Sequence, residues 1–116
     1  MREIRIDLSD NKCSPVVFGG YAGEHNETKV IIKLPDRMLT DDITKYQFII
    51  KNSKNEIQSE NVVDLSDINN GNISTMLTKG QTVGGCLMLS VTASVENNNI
   101  VERRAKTPII SLKVRG

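Results

Sequence analysis

The chain has 116 residues, the size of one domain, and it can bury roughly two-thirds of its unfolded surface without a metal or a disulfide. Its 38% hydrophobic and 25% charged residues exclude a disordered chain, and a net charge of +1 excludes electrostatic capture of DNA or of an anionic membrane. With 3% aromatic residues and no Trp, the chain is poorly supplied for stacking on sugars or on unpaired bases.

In chain order, Ile4, Ile6 and Leu8 alternate with Arg5 and Asp7, which predicts a half-buried strand running from Arg2. The same alternation of charged and apolar residues denies the N-terminus the unbroken apolar core of a signal peptide, so the protein is expected to stay in the cell that makes it until some other release. Ser9-Asp10-Asn11-Lys12 turns the chain. Val16-Val17-Phe18 is a short apolar piece ended by Gly19-Gly20, and residues 20–27 are polar and Gly-bearing, a loop or irregular strand edge. Thr28 to Leu34 is a strand with Val30, Ile32 and Leu34 on one face, stopped by Pro35. Residues 36–44 connect, with a helical turn expected near Asp41-Asp42 and a cap at Thr40 or Asp41.

Tyr46, Phe48 and Ile50 form the inward face of the next strand, and Asn52-Ser53-Lys54-Asn55 turns it into a returning strand from Glu56 to Val63. Asn69-Asn70-Gly71-Asn72 is the strongest turn signal in the chain, because Asn and Gly tolerate positive φ. Ile73, Thr75 and Leu77 follow as a strand. After a Gly80 to Gly85 loop, Leu87, Leu89, Val91, Ala93 and Val95 alternate strictly with Met88, Ser90, Thr92 and Ser94, which predicts a central strand. Glu96-Asn97-Asn98-Asn99 closes a hairpin, Ile100-Val101 begins its second arm, and Ile110, Leu112 and Val114 complete the core. About seven to eight antiparallel strands with regular turn signals predict an all-β fold, a single Ig-like β-sandwich over residues 1–116.

Residues able to carry chemistry are sparse and scattered in this sequence. Cys13 and Cys86 lack a C-x-x-C spacing and are expected as buried, unlinked thiols. His25 is the only histidine. Glu24-His25-Asn26-Glu27 has no further ligand to complete a metal set, so a solvated loop is expected. Asp36, Asp41 and Asp42 lack the register of a calcium loop; Asp64 and Asp67 with Asn69 and Asn70 could hold an ion loosely, and turns explain the asparagines at least as well. Gly19-Gly20 and Gly84-Gly85 match no phosphate-loop pattern and read as bulges or close approaches. Arg103-Arg104 with Lys106 reads as a solvated strand edge, and the Asn26 and Asn72 glycosylation patterns carry little without a secretory signal. No nucleophile, base and orienting group converge, so no catalysis, metal or cofactor is expected, and no nucleic-acid or membrane partner. The longest apolar runs are too short to span a bilayer.

Two stretches are similar to a known family. Residues 20–35, Gly-Tyr-Ala-Gly-Glu-His-Asn-Glu-Thr-Lys-Val-Ile-Ile-Lys-Leu-Pro, resemble the opening of Ig-like β-sandwich domains in tail, baseplate and other virion proteins of phages of low-GC Gram-positive bacteria. Residues 84–93 and 107–114 resemble the strands that close those sandwiches. The resemblance covers roughly residues 15–115, and Glu24-His25-Asn26 is its most distinctive run. It implies a non-enzymatic virion structural protein that docks on other virion proteins or on itself, located in the particle after synthesis in the host cytoplasm. Family members often continue into a stem or receptor-binding domain. This sequence stops at Gly116, which favours a small tail or baseplate component or a capsid decoration protein. The candidate contacts are the loop at Glu24, His25 and Asn26, the loop from Gly80 to Gly85, and an edge strand carrying Arg2, Ile4, Ile6 and Leu8. A carbohydrate- or cell-surface-binding module is the alternative, and it would depend on Tyr21.

Overall fold

The structure, a computed structural model, describes residues 2–9 and 17–116, with backbone only at 97, 101, 103 and 104. The expectations for Cys13, for the turn at residues 10–12 and for the side chains of Arg103 and Arg104 lie outside the described residues. The strands are β1 (Arg2–Asp7), β2 (Val17–Tyr21), β3 (Thr28–Lys33), β4 (Lys45–Lys51), β5 (Ile57–Gln58), β6 (Asn72–Met76), β7 (Gly85–Asn97), β8 (Ile100–Lys106) and β9 (Ile110–Arg115). They form two sheets: one ordered β1-β3-β6, the other β2-β9-β7-β4-β5, with β8 also paired to β7. Alternate residues of both sheets close on one core that includes Ile4, Ile6, Leu8, Val30, Ile32, Phe48, Ile50, Ile73, Leu89, Val91, Ile110 and Leu112. The chain is thus an all-β sandwich, as the period-two pattern predicts.

Two pairs depart from the antiparallel expectation. β1 runs parallel to β3, with Arg2 opposite Thr28 and Ile6 opposite Ile32, and β2 runs parallel to β9. A period of two fixes which face a residue takes, but it leaves the direction of the neighbouring strand open.

Four local expectations also change. The helical turn after Pro35 is a 3-10 turn at Asp36–Met38, ahead of Asp41. Its function in packing is clear, because it buries Met38 and offers the Met38 carbonyl to the Tyr46 hydroxyl at 2.6 Å. Desolvation by that packing raises the Tyr46 pKa. The returning strand from Glu56 to Val63 shrinks to Ile57–Gln58. Beyond it the chain crosses to the other sheet, where Asp64 bridges to Ser74 and Val62 is 85% exposed. Cys86 is exposed, because it has the opposite parity to the inward-facing Leu87 and Leu89. Ser90, Thr92 and Ser94 on that outer parity are nonetheless buried: these small side chains lie on a central strand beside the longer Ile49, Gln47 and Lys45 of β4, and Thr92 also lies beside Lys106 of β8.

The turn signals work as read. Asn98 and Asn99 take φ of 51° and 67° at the β7–β8 hairpin, Asn55 takes 63°, and Gly71 takes 83° at the end of the 3-10 turn Ile68–Asn70. Buried Asn52 organises its own turn: its carbonyl oxygen accepts from the Lys54 and Glu56 N–H groups, and its amide donates to Gly80 O and Glu56 Oε1.

On one side of β7 the ladder changes partner. β9 pairs with Gly85–Leu89 and β8 with residues from Thr92 to Asn97. Thr107 fills the gap: its N–H donates to Val91 O and its hydroxyl accepts from Val91 N–H, each at 3.0 Å. Pro108 follows and has no N–H to extend β8. Thr107→Val removes the acceptor and leaves a buried donor unpaired. It should lower stability by about 1–3 kcal/mol in urea denaturation, with Thr107→Ser close to wild type.

Candidate functional site

The candidate edge strand and the candidate loop meet at one end of the sandwich. Arg2 opens β1, and its side chain reaches the chain between β2 and β3. Arg2 Nη1 donates to Glu24 Oε1 at 3.0 Å and to Thr28 Oγ1 at 2.9 Å. Glu24 Oε1 also accepts from the Tyr21 N–H at 2.6 Å. The N–H of Tyr21 and the Arg2 guanidinium, in that order, hold the Glu24 carboxyl below the usual glutamate range.

This clasp depends on backbone shape. Gly20 has φ of +115°, and a Cβ placed there would meet Glu24 Oε1 at 2.6 Å and Arg2 Nη1 at 2.7 Å. Gly19-Gly20 therefore marks a bulge and a close approach, as its pattern suggests, and the register of β2 on β9 shifts between Phe18 and Gly20. The extra residue turns both Phe18 and Tyr21 to the outer face, opposite Lys113 and Arg115 of β9. Phe18 is 39% and Tyr21 51% exposed, and their rings meet edge to face with centroids 5.3 Å apart. The Arg2 guanidinium lies 5.0 Å from the Phe18 ring centre and 5.7 Å from that of Tyr21, with Arg115 5.9 Å from Phe18. Val17, Phe18, Tyr21, Lys113 and Arg115 line a shallow cleft of about 460 Å³.

The loop itself is pinned rather than free. Thr82 Oγ1 donates to Glu24 O at 2.6 Å, Gly23 N–H donates to Thr82 O, and Asn26 N–H donates to Leu77 O. His25 Nδ1 accepts from the Lys79 N–H at 3.0 Å, which places the proton of a neutral ring on Nε2. His25 thus acts as a latch on the neighbouring loop. The Gly80 to Gly85 loop does lie beside Glu24, yet Gln81 and Thr82 within it are buried. Asn26 sits at φ of 56° and is exposed.

Elsewhere, Asp67 receives the side-chain amides of Asn70 and Asn72, and the Asp64 carboxylate receives Ser66 N–H, consistent with turns. Both carboxyls titrate below their ordinary range, Asp67 through those amides and Asp64 through Ser66. Among the described residues no three of His, Cys, Asp and Glu converge. No helix of the described residues is long and apolar enough to cross a membrane.

The sequence singles out Arg2, Tyr21 and Glu24 but leaves Phe18 in a short apolar piece, with nothing to join them. The signal was the Gly-Gly pair between the two aromatics: a bulge there makes positions 18 and 21 share a face.

No protein-family model and no curated protein sequence matches the chain. Among solved structures it is similar to the N-terminal domain of phage TP901-1 ORF48, with a TM-score of 0.67 at 10% identity, over 99% of this chain and 98% of that one. The two share a fold.

Gly20→Ala should lower stability by about 1–3 kcal/mol, through both the left-handed φ and the displaced ion pair. Glu24→Gln separates the charge from the fold. A carboxyl titrating low when folded stabilises above its unfolded pKa and loses that contribution as pH falls through the folded one. Wild type should therefore exceed Glu24→Gln in thermal stability at pH 7, and the gap should close below about pH 4.

Proposed function

We propose that this chain is a non-enzymatic structural subunit of a phage particle, an Ig-like sandwich that docks on another virion protein through the Phe18–Tyr21 face. The observation that carries this reading is the exposed aromatic pair set among Arg2, Lys113 and Arg115 on a rigid sheet. Aromatic and arginine side chains are the residue types that concentrate binding energy at protein interfaces. A phage domain with the same fold over nearly its whole length supports the setting. The cations favour a partner face that carries carboxylates. A tail or baseplate component and a capsid decoration protein both fit this docking mode.

The carbohydrate reading has less support. A sugar needs an open ring face, whereas Arg2 stands over both rings and Arg115 over Phe18.

Mass spectrometry of purified particles should find the protein at a fixed stoichiometry, and its absence would end the virion reading. In particles assembled with the double variant Phe18→Ser, Tyr21→Ser, incorporation should fall at least about tenfold with the denaturation midpoint near wild type. Unchanged incorporation would move the docking face elsewhere, and glycan binding lost in Tyr21→Ser would favour the carbohydrate module.

A further inference from the structure

We propose that β1 is a self-pairing edge, by which two copies of this chain join antiparallel strand to strand about a two-fold axis at Ile6. The inference deepens the reading of the protein as an assembly subunit and rests on it, but it concerns a different surface from the aromatic face.

The backbone sets which groups are available. Arg2 N–H donates to Glu27 O and Leu8 N–H to Lys33 O, and the parallel register carries Ile4 and Ile6 in the same phase. The N–H and C=O groups of Glu3, Arg5 and Asp7 therefore point away from β3. Among the described residues β1 pairs with β3 alone and stands at the edge of its sheet. The side chains of Glu3, Arg5 and Asp7 are exposed on the outer face.

Charge then selects the occupant and its register. Outward signs alternate at period two: negative at Glu3, positive at Arg5, negative at Asp7. In an antiparallel pair of identical strands centred on Arg5, arginine would face arginine and Glu3 would face Asp7 of the second copy, which is repulsive. Centring the axis on Ile6 places Arg5 opposite Asp7 of the second copy, and Asp7 opposite its Arg5. Each such pair exchanges two backbone hydrogen bonds. The inner face then matches Ile6 with Ile6 and Ile4 with Leu8. Centring on Ile4 also opposes unlike charges, but it sets Ile6 against Arg2, whose guanidinium is already held by Glu24 and Thr28. The Ile6 axis is the register that satisfies both faces, and it makes one six-stranded sheet from two three-stranded ones.

The interface is small, so association in solution is weak and gains from symmetry when many copies are held in a particle. Sedimentation equilibrium from micromolar to millimolar protein should show the mass rising from 12.9 kDa toward twice that value. Arg5→Glu alone and Asp7→Arg alone should each weaken association about tenfold or more, since both symmetric pairs become repulsive. An equimolar mixture of the two variants should associate again, because the Arg5→Glu copy then presents two acidic positions to the two arginines of the Asp7→Arg copy. Circular dichroism and the denaturation midpoint establish that each exposed variant is folded. A wild type that stays monomeric at every concentration, association indifferent to either reversal, or a mixture no better than its components would each overturn the proposal. Detection in purified particles is scored separately, so a monomeric protein found in particles refutes self-pairing and leaves the virion reading standing.

Discussion

The constraint on which the rest of this sandwich depends is the satisfaction of β7. Thirteen residues of backbone in the middle of a sheet need partners on both sides. β4 serves one side from Met88 to Ser94. The other side is too long for one neighbour, so β9 covers the first part and β8 the last, with Thr107 completing the ladder at Val91. This handover lets the chain leave β7 at Pro108 and return as β9, and β9 is the strand on which β2 lies. The aromatic face is thus placed by a hydrogen-bonding requirement at the centre of the sheet, two strands away.

The edges are treated in different ways. At β6 the crossing segment covers the outer backbone: Asn61 donates to Met76 O and Asp64 exchanges backbone bonds with Ser74, while the Thr75 hydroxyl holds the segment through Val62 O. Asn61 is held in turn by a reciprocal amide pair with buried Gln81. At β2 side chains do the covering, with Glu24 on the Tyr21 N–H and Thr28 Oγ1 on Gly19 O at 3.3 Å. A strand capped in this way is a poor template for another strand but a firm base for side-chain contacts. β1 carries charges on its outer face instead, a device that discourages indiscriminate pairing while still allowing a complementary sequence to pair.

Much of this was legible because period-two alternation and turn chemistry are local. Ile4, Ile6 and Leu8, Val30 and Ile32, and Leu87 to Ala93 took their predicted faces, since burying one face of a strand leaves little choice. The asparagine turns at 55 and at 98–99 adopted positive φ for the same local reason. What could not be read depends on distant partners. The parallel direction of β1 and β2 is set by which strand lies alongside. The crossing after Gln58 is set by Asn61 finding Gln81 and Asp64 finding Ser74. Cys86 is a different case, because its exposed position follows from the parity of Leu87 and was open to a stricter reading.

Arg2 shows how the fold and the candidate site share one cause. It has the same parity as Ile4, Ile6 and Leu8, so alternation sends its side chain inward. A guanidinium within the core would be prohibitively desolvated, but Arg2 stands at the open end, where the strand leaves the sandwich. Its charge meets Glu24, and its flat face covers Phe18 and Tyr21 at the edge of the opposite sheet. One arginine thereby joins β1 of the small sheet to β2 of the large one and holds two aromatic rings outward in a fixed pose. In the fold shared at 10% identity with the phage domain, few residues can be common to both chains, so common ancestry of individual contacts is no guide to function. The surface that Arg2 organises has to be argued from this chain's own residues.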